Sequence, residues 1–406
     1  MTSTTSESAA ARNGLSPDAH VADIMGRVEG VLGRDGASVA LHEPLFAGSE
    51  WTYLKSCIDT GWVSYAGSYV TKFEAALAEA SGVKHAVAVA NGTVALQFAL
   101  SLAGVERGDE VIIPDLTFVA SANAVSHCGA IPHLADSEED SLGLDPRKLD
   151  AYLGEIAEIR DGVCYNTRTG RRIAAVMPMH TFGHPVDMDT LVEVAKRWCL
   201  VVVEDAAESL GSTYKGRPVG GHGLVSSLSF NGNKIVTTGG GGAILTNDDA
   251  IARRAKHLTT TAKLPHRWEF VHDEVGYNFR LPNVNAALGV AQMEQLPTFL
   301  AAKRGLAKRY QKAFEGCNAA EVFTDKAYAE SNYWLVNIVL RPGLESLRDA
   351  LLAATNDAGI MTRPVWRLMH RLPMYEACPR MDVSCAESLE ARIISLPSSV
   401  KHGLAQ

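Results

Sequence analysis

The chain has 406 residues, with 46 acidic and 38 basic side chains and a formal charge of −8. That length exceeds one ordinary hydrophobic core, so two packed units are expected, and a composition of 47% apolar and 21% charged residues excludes wholesale disorder. The acidic balance leaves no electrostatic footprint for nucleic acid, and no apolar run reaches the roughly 18 residues that a membrane-spanning helix needs.

The opening MTSTTSESAAARNG has neither the basic start nor the apolar stretch of a secretory signal. Residues 1–40 are expected to be a disordered or extended tail. Strand and helix signals then alternate. VTKFEAALAEA (70–80) places Val70, Phe73, Leu77 and Ala80 on one helical face. AVAVA (86–90) reads as a buried strand, followed by Asn91-Gly92-Thr93 and a helix over 94–102. DEVIIP (109–114) is a strand, 117–127 a helix and IPHLAD (131–136) a strand. Residues 153–172 read as an excursion between a helix and a strand. AAVMPMH (174–180) and LVVVED (200–205) are strands flanking a helix over 188–197, and SSLSFN (226–231) and GGAILTND (241–248) close the series. Alternation of this kind predicts an α/β domain with a mostly parallel sheet covered on both faces. From Asn283 the texture changes to a long helical region interrupted at Pro297, a strand over 333–340, a helix over 346–357 and a Pro- and Arg-rich segment over 362–375. The expected organisation is a large domain over 41–297 and a smaller α+β domain over 298–406.

In such sheets chemistry sits just past the carboxyl ends of strands. Four features lie there. Lys234, in SFNGNK, follows a strand and precedes a Gly-rich turn; a lysine so placed becomes a nucleophile when burial or charge lowers its pKa. Asp205 closes VVVED, where a carboxylate needs a cationic partner or hydrogen bonds; it suits either a helix N-cap or a partner for a pyridinium nitrogen. Gly92 and Thr93 open a helix, a ready anion site. Ser229, five residues before Lys234, offers a further hydroxyl. His180, at the end of the strand 174–180, is a candidate substrate contact. Its spacing to His184 does not make a zinc motif, because Gly183 and Pro185 oppose a helix and no glutamate intervenes. GGGG (239–242) lacks both the P-loop ending and the dinucleotide fingerprint. Seven cysteines (Cys57, Cys128, Cys164, Cys199, Cys317, Cys378 and Cys385) show no Cys-x-x-Cys pair. No disulfide framework or metal site is expected, and a reducing cytoplasm fits.

Together GSYVTKFEAALAEASGVKHAVAVANGTVALQFAL, GDEVIIPDLTFVASANAV, VVVEDAAESLGSTYKGRPVGGHG, SLSFNGNKIVTTGGGG and GYNFRLPNVNAALG resemble the DegT/DnrJ/EryC1/StrS family of sugar aminotransferases, which use pyridoxal 5'-phosphate. The resemblance covers nearly the whole chain after about residue 40. It implies the type I aminotransferase fold: a large domain with a seven-stranded, mostly parallel sheet, and a small C-terminal domain. It also implies a homodimer with active sites at the interface. Lys234 then carries the cofactor covalently, Asp205 pairs with the pyridine nitrogen and Phe118 stacks on the ring. Gly92, Thr93 and Ser229 hold the phosphate, joined by Asn278 from the neighbouring subunit. Glu208 stands where many relatives have glutamine. IRDGVCYNTRTGRRIAAVMPMHTFGHP, HLTTTAKLPHRWEFVHDEVGYNFRLPN and MTRPVWRLMHRLPMY resemble the branch that makes bacillosamine- and legionaminic-acid-type precursors. That likeness implies transfer from L-glutamate to C4 of UDP-4-keto-6-deoxy-N-acetylglucosamine, with another nucleotide-linked keto-sugar as the alternative. Arg363 and Trp366 are candidates for the nucleotide diphosphate, as a bidentate cation and a flat ring. A sugar 3-dehydratase is disfavoured because the lysine is present, and a nicotinamide-dependent oxidoreductase because its glycine fingerprint is missing. A cofactor-binding protein without catalysis is disfavoured by the intact Lys234, Asp205 and Ser229.

Overall fold

The computed structural model describes residues 16–33 and 36–404. Seven strands form the central sheet: β1 (His85–Val89), β2 (Glu110–Pro114), β3 (Ile131–Ala135), β4 (Ile173–Val176), β5 (Val201–Asp205), β6 (Val225–Ser229) and β7 (Gly242–Thr246). Their order is β1-β7-β6-β5-β4-β2-β3. All neighbours are parallel except β7, which runs antiparallel to both β1 and β6. The strands are short, apolar and buried because helices cover both faces. On β1, Val87 and Val89 join the core layer that holds Leu96, while Ala86 and Ala88 join the layer that holds Phe73. The period of two thus sorts one strand between two cores. This is the type I fold of pyridoxal phosphate enzymes.

The smaller unit is an antiparallel sheet of Ala320–Val322, Val336–Leu340, Ile393–Leu396 and Arg363–Pro364 in that order, with the helix Leu347–Asp357 against it. One helix, Asn283–Ala313, serves both units, so the boundary expected at Pro297 falls inside an unbroken element. Pro297 is exposed, and buried Leu296 and Phe299 hold both sides of it to one core. Packing therefore offsets the lost backbone bond. Further along, Leu306 and Tyr310 pack with Val336 and Ile394 of the smaller unit.

The tail expected over 1–40 is, in its described part, largely a helix, Pro17–Leu32. Ser16 accepts from the Ala19 amide at 3.3 Å, Pro17 opens the first turn and Gly33 closes the helix at φ 58°. His20, Ile24 and Val28 recur every four residues on the buried face, and Ile24 and Val28 join the small-domain core. Gly26 and Gly30 weaken the local helical signal, and tertiary burial overrides it. MTSTTSESAAARNG itself lies outside the described residues. The excursion over 153–172 contains an antiparallel hairpin, Ala157–Arg160 with Val163–Asn166. Among the described residues, no helix is long and apolar enough to cross a membrane.

Candidate active site

The carboxyl ends of β1, β5 and β6 converge on a cavity of about 260 Å³. It is lined by Gly92, Thr93, Phe118, Asp205, Glu208, Ser229 and Lys234, and closed by Trp334 and Trp366 from the smaller unit. A second cavity of about 530 Å³ shares Asn233, Trp334 and Trp366 with the first and extends to Arg363.

Asp205 ends β5 and is 2% exposed. Its Oδ2 accepts from Ser121 Oγ at 2.8 Å and its Oδ1 from the Ala207 amide at 3.2 Å. Burial pushes its pKa up, although Ser121, the Ala207 amide and the Lys234 charge pull the other way. A carboxylate has about four lone-pair positions, so a further donor from the cavity can be accommodated. Behind it, Glu204 accepts from the amides of Gly220, His222 and Gly223 and lies 3.2 Å from His180 Nε2. Burial alone raises a carboxyl, yet these partners hold Glu204 at about 2.

Lys234 follows β6 through a tight turn in which its amide donates to Asn231 O at 3.0 Å. Its Nζ is 3.1 Å from Glu208 Oε1 and 3.8 Å from the centre of the Trp334 ring. Trp334 is fixed in turn, its Nε1 donating to Asn233 O at 2.7 Å. Glu208 Oε2 accepts from the Phe182 amide at 2.9 Å, and burial pushes this carboxyl up to about 7. The Phe182 turn is tight: Phe182 has φ 55° and Gly183 φ 94°. A Cβ on Gly183 would lie 2.0 Å from Asn332 Oδ1, so only glycine fits. The turn stacks Phe182 on Trp366 with ring centres 4.8 Å apart.

At the opposite end, Asn91 Oδ1 caps the helix Gly92–Leu102 by accepting from the Val94 amide at 2.9 Å. Here the chains approach closely. A Cβ on Gly92 would sit 2.8 Å from Ser229 Cβ, and one on Gly242 would sit 2.5 Å from the Asn91 carbonyl.

The remaining candidates are placed elsewhere. His180 is fully buried behind Asp205 and does not line the cavity. Its Nδ1 accepts from the Val186 amide at 3.2 Å, and its amide donates to Asp205 O at 3.1 Å. With both ring nitrogens engaged, it orients β5 and is not available as the expected substrate contact. Asn278 is exposed and does not line the cavity. Arg363 lines the second cavity, but its Nη1 already donates to Asn356 Oδ1 and Thr362 O. Trp366 lines both cavities, and Phe118 meets its edge at 6.1 Å. Sequence reasoning missed Trp334 and Phe182. Trp334 was hidden within an apolar strand reading, although an indole N–H in a core needs a partner.

A family model described as the DegT/DnrJ/EryC1/StrS aminotransferase family matches residues 46–405. The chain belongs to this family. It is 37% identical over 361 residues to GDP-perosamine synthase of Caulobacter vibrioides, covering 89% of this chain and 93% of that one. It is 38% identical, with the same coverage, to GDP-perosamine synthase of Escherichia coli O157:H7. Among solved structures it resembles the sugar aminotransferase CalS13 of Micromonospora echinospora, with a TM-score of 0.78, 26% identity and coverage of 89% and 94%.

The aminotransferase is thus a pyridoxal phosphate enzyme, and its cavity fits that group. The buried Asp205 carboxyl, disfavoured as an anion by burial, suits a pyridinium N–H as partner. The glycine cradle at Gly92, beside Ser229 and the positive end of a helix, suits a phosphate. The Lys234 amine lines the same cavity.

Proposed function

We propose that this aminotransferase moves the amino group of L-glutamate to C4 of a nucleotide-linked 4-keto-6-deoxy-sugar. The observation that carries the reading is the joint between the two cavities: Lys234 lines the smaller one, and Asn233, Trp334 and Trp366 line both. In this reading a sugar carbonyl sits at the lysine and its nucleotide occupies the larger cavity. Arg363 and Trp366 are the residues proposed to meet the diphosphate and base. The UDP-linked N-acetyl sugar is favoured by the bacillosamine-type stretches around 159–185 and 257–283. A GDP-linked sugar is the second reading, because curated relatives are named as GDP-perosamine synthases.

When bound, pyridoxal phosphate supplies an electron sink that acidifies the C–H bond beside the donor's amine. Lys234 would hold the cofactor covalently, and its Nζ, when free, would be the base that takes that proton. A positioned base of this kind contributes about 10²–10⁴-fold. Asp205 holds a proton on the ring nitrogen, and Ser121 and the Ala207 amide fix the angle of its carboxyl. Glu208, raised by burial to about 7, holds Lys234 Nζ by a hydrogen bond at 3.1 Å. Phe118 covers the ring, while Gly92, Thr93 and Ser229 hold the phosphate. The two half-reactions use one site, so kinetics are ping-pong.

The working unit proposed is a homodimer that shares its sites. Asn278 is exposed, and nearby Trp268 and Phe270 are 68% and 78% exposed, a large apolar display for a free surface. A cytosolic setting fits seven free thiols.

The test is the visible spectrum of purified enzyme. L-glutamate should bleach the cofactor band, and UDP-4-keto-6-deoxy-N-acetylglucosamine should restore it. Restoration by the GDP-linked keto-sugar alone selects the second reading. Restoration by neither overturns the nucleotide-sugar assignment.

A further inference from the structure

His42 lies on the wall of the 530 Å³ cavity, which shares Asn233, Trp334 and Trp366 with the cofactor pocket. Its backbone is pinned on both sides: Leu41 O accepts from the Ser398 amide at 2.7 Å, and the Glu43 amide donates to Ser399 Oγ at 2.9 Å. The chain on either side of His42 is therefore held by the smaller unit. Both ring nitrogens have essentially no accessible surface, yet neither has a hydrogen-bond partner within the protein. Buried polar atoms rarely go unpaired without a reason. Other polar side chains on this wall each have at least one partner. Ser395 Oγ donates to Asn337, Asn233 Oδ1 accepts from Asn231, and Arg363 is engaged as above.

The character of the ring narrows what it can bind. Burial first, and then the charges of Lys303 and Lys234, push the His42 pKa well below its ordinary value. The imidazole is neutral, with one donor and one acceptor nitrogen. A carboxylate of the amino donor gains little from such a group, whereas a hydroxyl or an amide offers both complements. We propose that His42 is a specificity-determining residue that hydrogen-bonds a neutral hydroxyl or amide substituent of the keto-sugar. This rests on the nucleotide-sugar reading above.

The two half-reactions separate the roles. In His42→Phe holoenzyme, bleaching by L-glutamate should keep its rate within about twofold, while recovery with the keto-sugar should slow by about tenfold or more, as expected when a bond to a neutral group is lost. His42→Asn, which keeps a donor and an acceptor, should recover part of that loss. Calorimetry gives a second readout. UDP-N-acetylglucosamine should bind His42→Phe more weakly than wild type, and free UDP should bind both equally; if wild type answers only the GDP-linked keto-sugar, GDP-mannose and GDP replace them. If His42→Phe does not fold, His42→Ala carries the same comparisons. Equal slowing of both half-reactions, or unchanged recovery with the keto-sugar, overturns the proposal alone. Wild-type enzyme that recovers with neither the UDP- nor the GDP-linked keto-sugar overturns the nucleotide-sugar reading and this one with it.

Discussion

Replacing Glu208 by glutamine keeps the side chain's shape and removes its ability to ionise. In the folded protein this carboxyl is 3% exposed, and burial raises it from 4.5 to about 7. At about 1.4 kcal/mol per pH unit, that rise corresponds to roughly 3 kcal/mol. The sign follows from which state holds the proton. Below about pH 4.5 both folded and unfolded chains hold it, and the folded state bears no penalty. Between about pH 4.5 and 7 the unfolded chain ionises first, so the stability present at low pH is lost as pH rises. The attraction of Lys234 at 3.1 Å has already moderated the loss. Glutamine escapes this penalty at every pH. Cofactor-free Glu208→Gln should therefore gain about 3 kcal/mol over wild type at pH 8.5 and less than about 1 kcal/mol at pH 5. Urea unfolding of both proteins at one protein concentration measures the difference. An equal gain at the two pH values, or a loss at pH 8.5, refutes the reasoning, because only a carboxyl that resists ionisation in the fold produces a pH-dependent gain.

Three further outcomes follow from the geometry. Lys234→Ala should lose the visible cofactor band and about 10⁴-fold or more of turnover, since one amine both ties the cofactor and moves the proton; spectroscopy and a single-turnover assay read both. Asp205→Asn should still fold and retain the cofactor, yet lose about 10²-fold or more in the glutamate half-reaction, because an amide no longer holds a ring nitrogen protonated; stopped-flow bleaching measures it. Gly183→Ala should lower stability by about 2–4 kcal/mol, as its Cβ would meet Asn332 Oδ1 at 2.0 Å in a φ 94° conformation; a thermal midpoint equal to wild type would contradict it.

The sheet was legible because its strands carry their signals locally. AVAVA, VIIP and VVVED are short apolar runs closed by Pro, Asp or Asn, and helices between them keep a 3.6-residue period. The cofactor-end residues were legible for the same reason, since each sits at the last residue of a strand or within five residues past it. Three elements were not. The helix Pro17–Leu32 exists through burial against a core more than 270 residues away in sequence, at Leu306 and Tyr310. Pro297 reads as a stop, yet buried Leu296 and Phe299 carry the helix through it. His180 carries the chemistry of a ligand, and only the fold reveals that Glu204 and the Val186 amide already occupy both its nitrogens.

The same contrast explains how the site divides its labour. The residues that sequence spacing locates, Gly92, Asp205, Ser229 and Lys234, all come from the large sheet and face one small cavity. Those that spacing misses, Trp334 and His42, belong to segments bound to the smaller unit through Lys303, Ser398 and Ser399. Buried Lys303 donates to Trp334 O at 3.0 Å and to Ser398 O at 2.6 Å, and the neighbouring Ser399 accepts from the Glu43 amide. One buried ammonium thus fixes the Trp334 side of the joint and the strand end that anchors His42. Burial lowers Lys303 to about 7, so its two carbonyl bonds are held by a cation that sheds its charge readily. Substitutions at Lys303 should accordingly disturb recovery with the keto-sugar more than bleaching by glutamate, because they loosen the wall of the larger cavity and leave the strand ends of the large sheet in place.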